Sequence, residues 1–249
     1  MNIIHTTCPT PRQKEDMEQL IKTCKEKEPL SLSAPVDDDL EYDIFLLYEK
    51  DSLSAMAFLF SPAKSPWECC AFVEPSKRRK GYFTRLLDQV LDFVEQYEKS
   101  LSEPADFCFL VDERTPSAVG AMEAIGAEYW YSEHKMERSL TPKDREYVME
   151  SLVIKQDKDH LYLACLKDKV IGTCALLPSQ DRFYLYAFQI HEAYQGQGYG
   201  TQFLLGMLAL GAATGTHVSL QVSGQNYIAR NLYKKTGFRT TESLSYYLY

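Results

Sequence analysis

A glycine-rich segment between residues 195 and 201 is the part of the sequence best suited to chemistry. Gly196, Gly198 and Gly200 alternate with other residues between a predicted strand and a predicted helix. Glycine lets the main chain adopt unusual backbone angles and approach a ligand closely. Successive N–H groups of such a loop, together with the partial positive charge at a helix N-terminus, can bind phosphate oxygens. The segment therefore predicts a loop that binds a pyrophosphate group.

Three types of phosphate-binding loop can join a strand to a helix in this way. A dinucleotide-binding loop would need a glycine in place of Thr201 and an acidic residue near Gln221. A P-loop would need glycine and lysine followed by serine or threonine, and the segment lacks that sequence. The third pattern, Gln/Arg-x-x-Gly-x-Gly, is matched by Gln195, Gly198 and Gly200. The sequence therefore favours the third type of loop.

A second block of residues follows the loop after one more predicted strand, at residues 217–222. Written with its spacing, the block reads Asn226-x-x-Ala229-x-x-Leu232-Tyr233-x-x-x-Gly237-Phe238. In type, order and separation, the loop and this block resemble the two sequence blocks of the GCN5-related N-acetyltransferases, the GNAT superfamily. The resemblance covers most of residues 160–240, and in weaker form it extends to the first half of the chain.

The resemblance implies that the second half of the chain binds acetyl-CoA between two strands that splay apart, here 183–190 and 217–222. The pyrophosphate would be bound by backbone N–H groups of the loop, namely those of Gln195, Gly196, Gln197, Gly198, Tyr199, Gly200 and Thr201. Main-chain groups near Gln189 and Ile190 would pair with the pantetheine arm and polarise the thioester carbonyl. Asn226 matches a position that steadies the pantetheine, and Ala229 belongs to the same cofactor-binding block.

The implied reaction is direct transfer of an acetyl group from the thioester to a primary amine, without an acyl-enzyme intermediate and without a metal. Tyr233 matches the residue that protonates the leaving thiolate, and a tyrosine with a pKa of roughly 10 is protonated at neutral pH. His191 and Glu192, at the end of the strand 183–190, are candidate bases. His191 resembles a histidine of arylalkylamine N-acetyltransferases.

Other interpretations of these residues stay open on the sequence alone. Tyr233 could be a core tyrosine of an amphipathic helix, and Asn226 could be a helix N-cap. His191 and Glu192 could be solvated residues at a strand end. The alternative function is a non-catalytic acyl-CoA-binding or regulatory module that has kept the GNAT fold.

The glycine loop has a counterpart in the first half of the chain. An ungapped repeat, with Gly81 at the position of Gly198, runs from about residue 43 to residue 91. Arg78 and Gly81 match the loop pattern, whereas Phe83 replaces the last glycine and Met122 falls where Tyr233 falls. We therefore predict a degenerate GNAT-like domain at 1–140 and a GNAT domain with the acetyl-CoA site at 141–249.

Hydrophobic periodicity predicts a similar order of elements in the two halves. The first half has predicted helices at 12–27, 84–95 and 117–125 and strands at 42–50, 53–60, 67–73, 106–111 and 128–137. The second half has predicted helices at 201–213 and 227–236 and strands at 160–167, 170–177, 183–190, 217–222 and 238–249. The resemblance implies an α/β (α+β) fold class with two tandem GNAT-like domains. Each domain would be a mixed, mostly antiparallel central sheet flanked by helices.

Composition and charge narrow the class of protein. The net charge of −8 and the pI near 5.2 argue against a general nucleic-acid binder. Residues 1–140 carry a net charge of −10 and residues 141–249 a net charge of +2, so the second half suits a polyanionic cofactor better. The seven cysteines lack zinc-site spacing, and the longest apolar run, 203–213, is too short to span a membrane.

These features predict a cytoplasmic protein that acts on a small-molecule amine or a peptide, with no nucleic-acid or membrane partner. The sequence leaves open whether the protein is a monomer or a homodimer.

Overall fold

The computed structural model describes residues 1–33, 42–60, 66–99 and 105–249. Its internal contacts divide the chain into two compact units. Unit 1 consists of Met1–Tyr131 together with Leu244–Tyr249, and unit 2 consists of Ser132–Ser243. Neither unit is identical with a half of the sequence, because the final strand of each half is divided between the two units.

Unit 1 is a mixed sheet with helices packed on both faces. Its helices are α1 (Pro11–Lys27), α2 (Tyr82–Glu98) and α3 (Pro116–Ile125). Its strands are β1 (Asn2–Thr6), β2 (Asp43–Glu49), β3 (Ser52–Phe60), β4 (Trp67–Val73) and β5 (Phe107–Asp112), followed in the sheet by residues 244–248. All pairs are antiparallel except β4 with β5.

The strands of unit 1 present alternate side chains to two cores, as the period of a strand requires. Phe45 and Leu47 of β2 pack in the core that contains α2, and Ile44 and Leu46 pack in the core that contains α1. The buried residues of α2 recur at helical spacing: Leu86, Leu87, Val90 and Val94. The helix begins at Tyr82, with Gly81 as its N-cap, so its first turn follows directly on the loop 77–81.

Asp112, at the end of β5, is a buried carboxylate that ties unit 1 together. Its Oδ2 accepts hydrogen bonds from the backbone N–H and the hydroxyl of Ser31, both at 2.6 Å, and from Arg114 Nη2 at 2.9 Å. Burial alone would raise the pKa of Asp112, but the hydrogen bonds from Arg114 and Ser31 outweigh it and lower the pKa to about 2. The folded state of unit 1 therefore prefers the ionised carboxylate.

This preference predicts that acid destabilises the protein through Asp112. A lowered pKa contributes stability that is present above about pH 4 and is lost as the pH falls towards about 2. We expect Asp112→Asn to lower the free energy of unfolding by roughly 2 kcal/mol at pH 7. At pH 2.5 we expect a much smaller difference from wild type. Urea unfolding at the two pH values measures both, with exposed Asp88→Asn as the control. An equal cost at both pH values would contradict the interpretation.

Unit 2 is a mixed sheet with its helices in the core on one face. Its helices are α4 (Tyr199–Gly211) and α5 (Tyr227–Lys235). The remaining strands of the chain are β6 (Glu128–Ser139), β7 (Leu152–Lys158), β8 (Leu161–Leu166), β9 (Lys169–Ser179), β10 (Arg182–Ile190), β11 (His217–Ser223) and β12 (Arg239–Leu248). Within unit 2 the sheet order is β6, β11, β10, β9, β8 and β7. The expected α/β fold class, with its mostly antiparallel sheet, is confirmed.

The backbone of the loop repeats between the two halves, as the sequence repeat predicts. Gly81 and Gly198 are both in the left-handed region, with φ of 79° and 85°. Arg79 and Gly196 are as well, with φ of 58° and 72°. Each loop follows a short 3₁₀ turn and leads into a helix. The loop of the first half therefore has the same conformation although its sequence contains only one of the three glycines.

The final strands are exchanged with respect to the sequence halves. From Ser132 onward, β6 belongs to unit 2 and pairs antiparallel with β11. From Leu244 onward, β12 belongs to unit 1 and pairs antiparallel with β5. The division of the chain into domains at 1–140 and 141–249 stays a prediction about the two halves of the sequence.

Candidate active site

The loop between β10 and α4 leaves a row of backbone N–H groups without a protein acceptor. Gly198 is the N-cap of α4, and no side chain of the described residues caps this helix. The N–H of Gln195 donates to Glu192 O at 3.1 Å, and that of Thr201 donates to Gly198 O at 3.1 Å. The N–H groups of residues 196–200 lack such an acceptor among the described residues. An anion could therefore bind there, at the positive end of α4.

Gln195 fixes the shape of this loop through its side chain. Its Nε2 donates to Ile190 O, the last carbonyl of β10, at 2.8 Å. At the equivalent position of the first half, Arg78 Nε donates to Val73 O at 3.2 Å. The contact explains why this position is Gln or Arg in the pattern, since both side chains can donate to a strand-end carbonyl. Gln195 thus positions the loop.

The strands β10 and β11 separate on the side of the loop. Their parallel pairing is limited to Arg182–Tyr184 with His217–Ser219. Beyond it, β10 has an irregularity between Tyr186 and Gln189, where Ala187 adopts a φ of 49°. Such bulges turn main-chain groups away from the ladder. The result is an opening between the strands with unpaired β10 main chain along it.

Gly172 of β9 is required beside this irregularity. A Cβ at Gly172 would lie 2.6 Å from Gln189 O and 2.7 Å from Ile190 Cδ1. A real Cβ atom does not lie this close to a backbone oxygen, so only glycine allows β9 to approach the end of β10 in this way. Gln189 is exposed and Ile190 is buried, so the two predicted main-chain ligands lie at the boundary between core and opening.

Tyr233 lies in α5 with its ring in the core, next to the irregular part of β10. Its ring centroid is 6.4 Å from that of Phe188 and 5.7 Å from that of Phe238. Burial raises the pKa of Tyr233 to about 12, and nearby Cys174 adds to this shift. Its hydroxyl has no hydrogen-bond partner among the described residues. A protonated phenol with a free O–H can donate a proton or a hydrogen bond to a ligand.

Asn226 is the N-cap of α5. Its Oδ1 accepts a hydrogen bond from the N–H of Ala229 at 3.1 Å. The cap fixes the start of the helix that carries Tyr233. The amide nitrogen of Asn226 takes no part in this cap, so contact with a pantetheine arm stays a prediction.

His191 and Glu192 lie at the turn between β10 and the loop. Both side chains are exposed, and Glu192 begins the 3₁₀ turn Glu192–Tyr194. Among the described residues, neither side chain has a hydrogen bond or an ion pair. Their role as bases stays a prediction.

Sequence reasoning did not identify a cluster of polar and aromatic side chains on the sheet face of unit 2 opposite α4. Tyr184 donates a hydrogen bond to Gln221 Oε1 at 3.1 Å, and its ring stacks on Tyr186 with centroids 6.0 Å apart. Glu133 of β6 lies opposite Ser223 of β11 on the same face. The alternation of each strand could have placed these residues outside the core. It could not have shown that they lie together, because that depends on the register between strands that are far apart in the sequence.

Glu133 is half-buried, and its environment is unusual for a carboxylate. Burial raises its pKa. Burial also raises the pKa of Tyr184, and the charge of Glu133 adds to that shift. The carboxylate therefore lies close to Tyr184, where the pairing of β10 and β11 ends. A cation reaching this point would favour the ionised form of Glu133.

Two further findings concern the described residues only. Within them, His, Cys, Asp and Glu side chains form no group of three or more able to hold a metal ion. None of the helices described here combines the length and apolar character needed to cross a membrane.

The second half of the chain is similar in sequence to known acetyltransferases. Residues 127–238 match the family model described as the acetyltransferase (GNAT) family. The uncharacterized N-acetyltransferase YycN of Bacillus subtilis (strain 168) is 38% identical over 66 residues. That match covers 26% of this chain and 42% of the length of the relative.

Solved structures share the fold of the whole chain. A GCN5-related N-acetyltransferase from Sphaerobacter thermophilus has a TM-score of 0.79 at 15% identity, covering 99% of this chain and 95% of its own. A tandem GNAT protein from the clavulanic acid biosynthesis pathway has a TM-score of 0.63 at 12% identity, covering 100% and 98%. At such identities the likeness concerns the fold. Residues 127–238 therefore match the acetyltransferase (GNAT) family in sequence, and the whole chain shares its fold with solved GNAT proteins, one of them a tandem form.

Proposed function

We propose that this chain is an acetyl-CoA-dependent N-acetyltransferase whose active site lies in unit 2. It would move the acetyl group directly from the thioester to a primary amine of a small molecule or peptide, with Tyr233 as the general acid. We further propose that it acts in the cytoplasm. The match of residues 127–238 to the GNAT family model supports acyl transfer, and the finer statements are our own.

The observation that carries the proposal is the opening between β10 and β11. It is flanked by the free N–H groups of residues 196–200, and the Tyr233 ring packs against Phe188 in the irregular part of β10. The N–H groups suit the pyrophosphate of coenzyme A, and the unpaired main chain of β10 suits its amide-containing arm. Both parts of the cofactor thus meet groups of matching chemistry.

Acetyl-CoA supplies an acetyl group activated as a thioester, so that attack by a neutral amine forms a C–N bond and breaks the C–S bond. The N–H groups near Gln189 and Ile190 would stabilise the oxyanion, which is usually the largest contribution to catalysis. The Tyr233 hydroxyl would deliver a proton to the departing sulfur. His191 or Glu192 would take the proton that the ammonium substrate must lose.

The activity is tested by incubating the full chain with acetyl-CoA and a panel of amines, and by following thiol release and the acetylated product. We expect thiol release that depends on the amine. Tight binding of acetyl-CoA without thiol release over a broad panel would instead support a non-catalytic acyl-CoA-binding module.

We also propose that Glu133 binds the ammonium group of the acceptor. It lies on the open sheet face at the base of the opening, together with the stacked rings of Tyr184 and Tyr186. A cation beside two tyrosine rings and a carboxylate is stabilised by cation–π contacts and by charge.

Removing this charge should weaken binding of the amine alone. We expect Glu133→Gln to raise the KM for the amine about tenfold, since a hydrogen bond to a charged group contributes roughly 1.5–3 kcal/mol. The KM for acetyl-CoA should stay unchanged. Steady-state kinetics with each substrate varied in turn gives both values. Glu137→Gln, on the same strand but paired with Lys135 at 3.2 Å, is the matched control. Equal effects of the two variants would rule out a specific contact at Glu133.

A further inference from the structure

We propose that Arg138 is a positioning residue for Tyr233, because it fixes the end of the helix that carries this tyrosine. The proposal rests on the proposed function, in which Tyr233 is the general acid. It follows from the way α5 ends, from the contact of Arg138 with that end, and from a comparison with α3 of unit 1.

The last turn of α5 holds Tyr233 by its backbone as well as by its ring. The carbonyl of Tyr233 accepts hydrogen bonds from the N–H of Thr236 at 3.2 Å and from that of Phe238 at 3.0 Å. The N–H of Gly237 donates to Lys234 O at 3.1 Å, which completes a Schellman motif. The rings of Tyr233 and Phe238 make the apolar contact typical of this motif, with centroids 5.7 Å apart. A shift of the helix end would therefore move Tyr233.

Arg138 of β6 lies directly against the glycine of this motif. Gly237 has a φ of 92°, and a Cβ added to it would lie 3.2 Å from Arg138 Nε and 3.5 Å from Arg138 Cδ. The backbone angle and the contact thus both favour glycine at this position. A cation is also favourable at the C-terminal end of a helix, where the free carbonyl groups carry partial negative charge. The Arg138 side chain therefore links the end of α5 to the sheet.

A second element holds Arg138 in place. Its Nη2 donates to Asp144 Oδ1 in the 3₁₀ turn Pro142–Glu146. Asp144 Oδ2 accepts hydrogen bonds from the N–H and the hydroxyl of Thr141, at 2.8 and 2.9 Å. Only 18% of the Arg138 side chain and 9% of the Asp144 side chain are exposed. Because both oxygens of Asp144 are engaged, the guanidinium is confined to one geometry.

Stability alone does not explain an arginine at this position. Nη1 of Arg138 is buried and has no hydrogen-bond partner in the part of the chain that the structure describes. An unpaired buried donor destabilises the folded state, and apolar residues that replace a buried ion pair are often no less stable. A residue that keeps this cost suits a role in geometry, and its contact with Gly237 assigns that role to the end of α5.

Helix α3 of unit 1 ends in the same motif without such a contact. The N–H of Gly126 donates to Glu123 O at 3.2 Å, and that of Ala127 donates to Met122 O at 3.0 Å. Among the described residues other than its neighbours in the chain, a Cβ added to Gly126 would meet no atom within 4 Å. The arginine thus accompanies the motif that begins with the proposed acid and not the one that begins with Met122. This difference is expected if the contact serves catalysis rather than helix termination.

The test removes the ion pair without leaving a buried charge unpaired. Arg138→Met combined with Asp144→Asn loses both charges, while an amide oxygen at position 144 can still accept from Thr141. We expect kcat to fall about tenfold, because a small misplacement of a catalytic group is costly, and the KM for acetyl-CoA to stay unchanged. Added to Tyr233→Phe, the same pair of substitutions should change kcat less than about twofold. Equal factors in the two backgrounds would overturn the proposal.

A second measurement follows the position of Tyr233 without using activity. The chain is labelled with fluorotyrosine, and the fluorine NMR signal of Tyr233 is identified by its absence from Tyr233→Phe. We expect this signal to shift or broaden in the double variant, while the signal of Tyr162, identified in the same way, stays in place. An unmoved Tyr233 signal would overturn the proposal in an active enzyme as well. A displaced signal in a chain that transfers no acetyl group would support the role of Arg138 and contradict the proposed function.

Arg145→Met is the matched control. Arg145 lies in the same 3₁₀ turn, but its Nε donates to Ala212 O at 2.6 Å, at the end of α4. The variant should lower the melting temperature and leave both kcat and the Tyr233 signal unchanged. The same displacement of the Tyr233 signal in Arg145→Met would mean a general loosening of the core and would overturn the specific role of Arg138.

Discussion

Replacing Gly198 with glutamate should reduce kcat/KM for acetyl-CoA at least 100-fold. Gly198 has a φ of +85°, where an L residue costs roughly 1–2 kcal/mol. A Cβ there would meet no atom within 4 Å, so the loop can accommodate the side chain in space. The added carboxylate would lie at the end of α4, where the proposed diphosphate binds, and like charges there repel each other. The variant should therefore lose more free energy of acetyl-CoA binding than free energy of unfolding.

A matched control separates the two effects. Gly126, which ends α3 in unit 1, has a φ of +74° and also has no atom within 4 Å of an added Cβ. Gly126→Glu introduces the same side chain at nearly the same backbone strain, away from both loops. We expect near-normal kinetics for it and a similar decrease in thermal stability for both variants. A Gly198→Glu enzyme with the wild-type KM for acetyl-CoA would mean that the loop is misassigned.

The second large effect is expected from Tyr233→Phe. A positioned general acid contributes typically 10²–10⁴-fold, so kcat should fall about 100-fold or more. The KM for acetyl-CoA should change little, because the hydroxyl acts mainly in the transition state. Steady-state kinetics at saturating amine measures both constants. The buried position of the ring leaves the rest of the site in place, since phenylalanine preserves the contacts with Phe188 and Phe238.

The stability of this variant provides an independent check. The Tyr233 hydroxyl has no hydrogen-bond partner among the described residues, so its removal should leave the melting temperature unchanged or slightly higher. Tyr162→Phe, in a strand that packs against the same core, serves as the control for kinetics. Wild-type kcat in Tyr233→Phe would leave Tyr233 with a purely structural role.

The loop was predictable from sequence because its function depends on main-chain conformation. Gly196 and Gly198 lie at positions that require a positive φ, and few residue types tolerate that. The same argument fails at Arg79, which adopts a positive φ without being glycine. There, only the repeat with the second half indicates the conformation. The sequence pattern thus identifies a positive φ where the residue is glycine, and it misses a positive φ where another residue stands in that position.

Two edge strands were absent from the prediction for a physical reason. β1 and β7 lie at the ends of their sheets, and most of their residues are exposed or only partly buried. A strand that buries little has no clear alternation of apolar and polar residues. The central strands, which alternate or are buried on both faces, were predicted with their ends shifted by a few residues.

The sheet face that carries Glu133 and Tyr184 shows a second limit of sequence reasoning. Glu133 and Tyr184 are about fifty positions apart, and only the register of β6, β11 and β10 brings them to one face. Register depends on pairing between distant strands, which single-sequence periodicity cannot supply. The cofactor loop, by contrast, lies within seven consecutive residues.

The place of residues 244–248 in unit 1 has a consequence for synthesis in the cell. These residues complete the sheet beside β5, yet the whole of unit 2 lies between them and β5 in the sequence. Unit 1 must therefore wait until unit 2 has been synthesised before its sheet is complete. During translation it would expose the β5 edge, and unpaired edges promote aggregation. Deleting residues 244–249 should therefore destabilise unit 1 more than unit 2, although unit 2 precedes the deletion directly in the sequence.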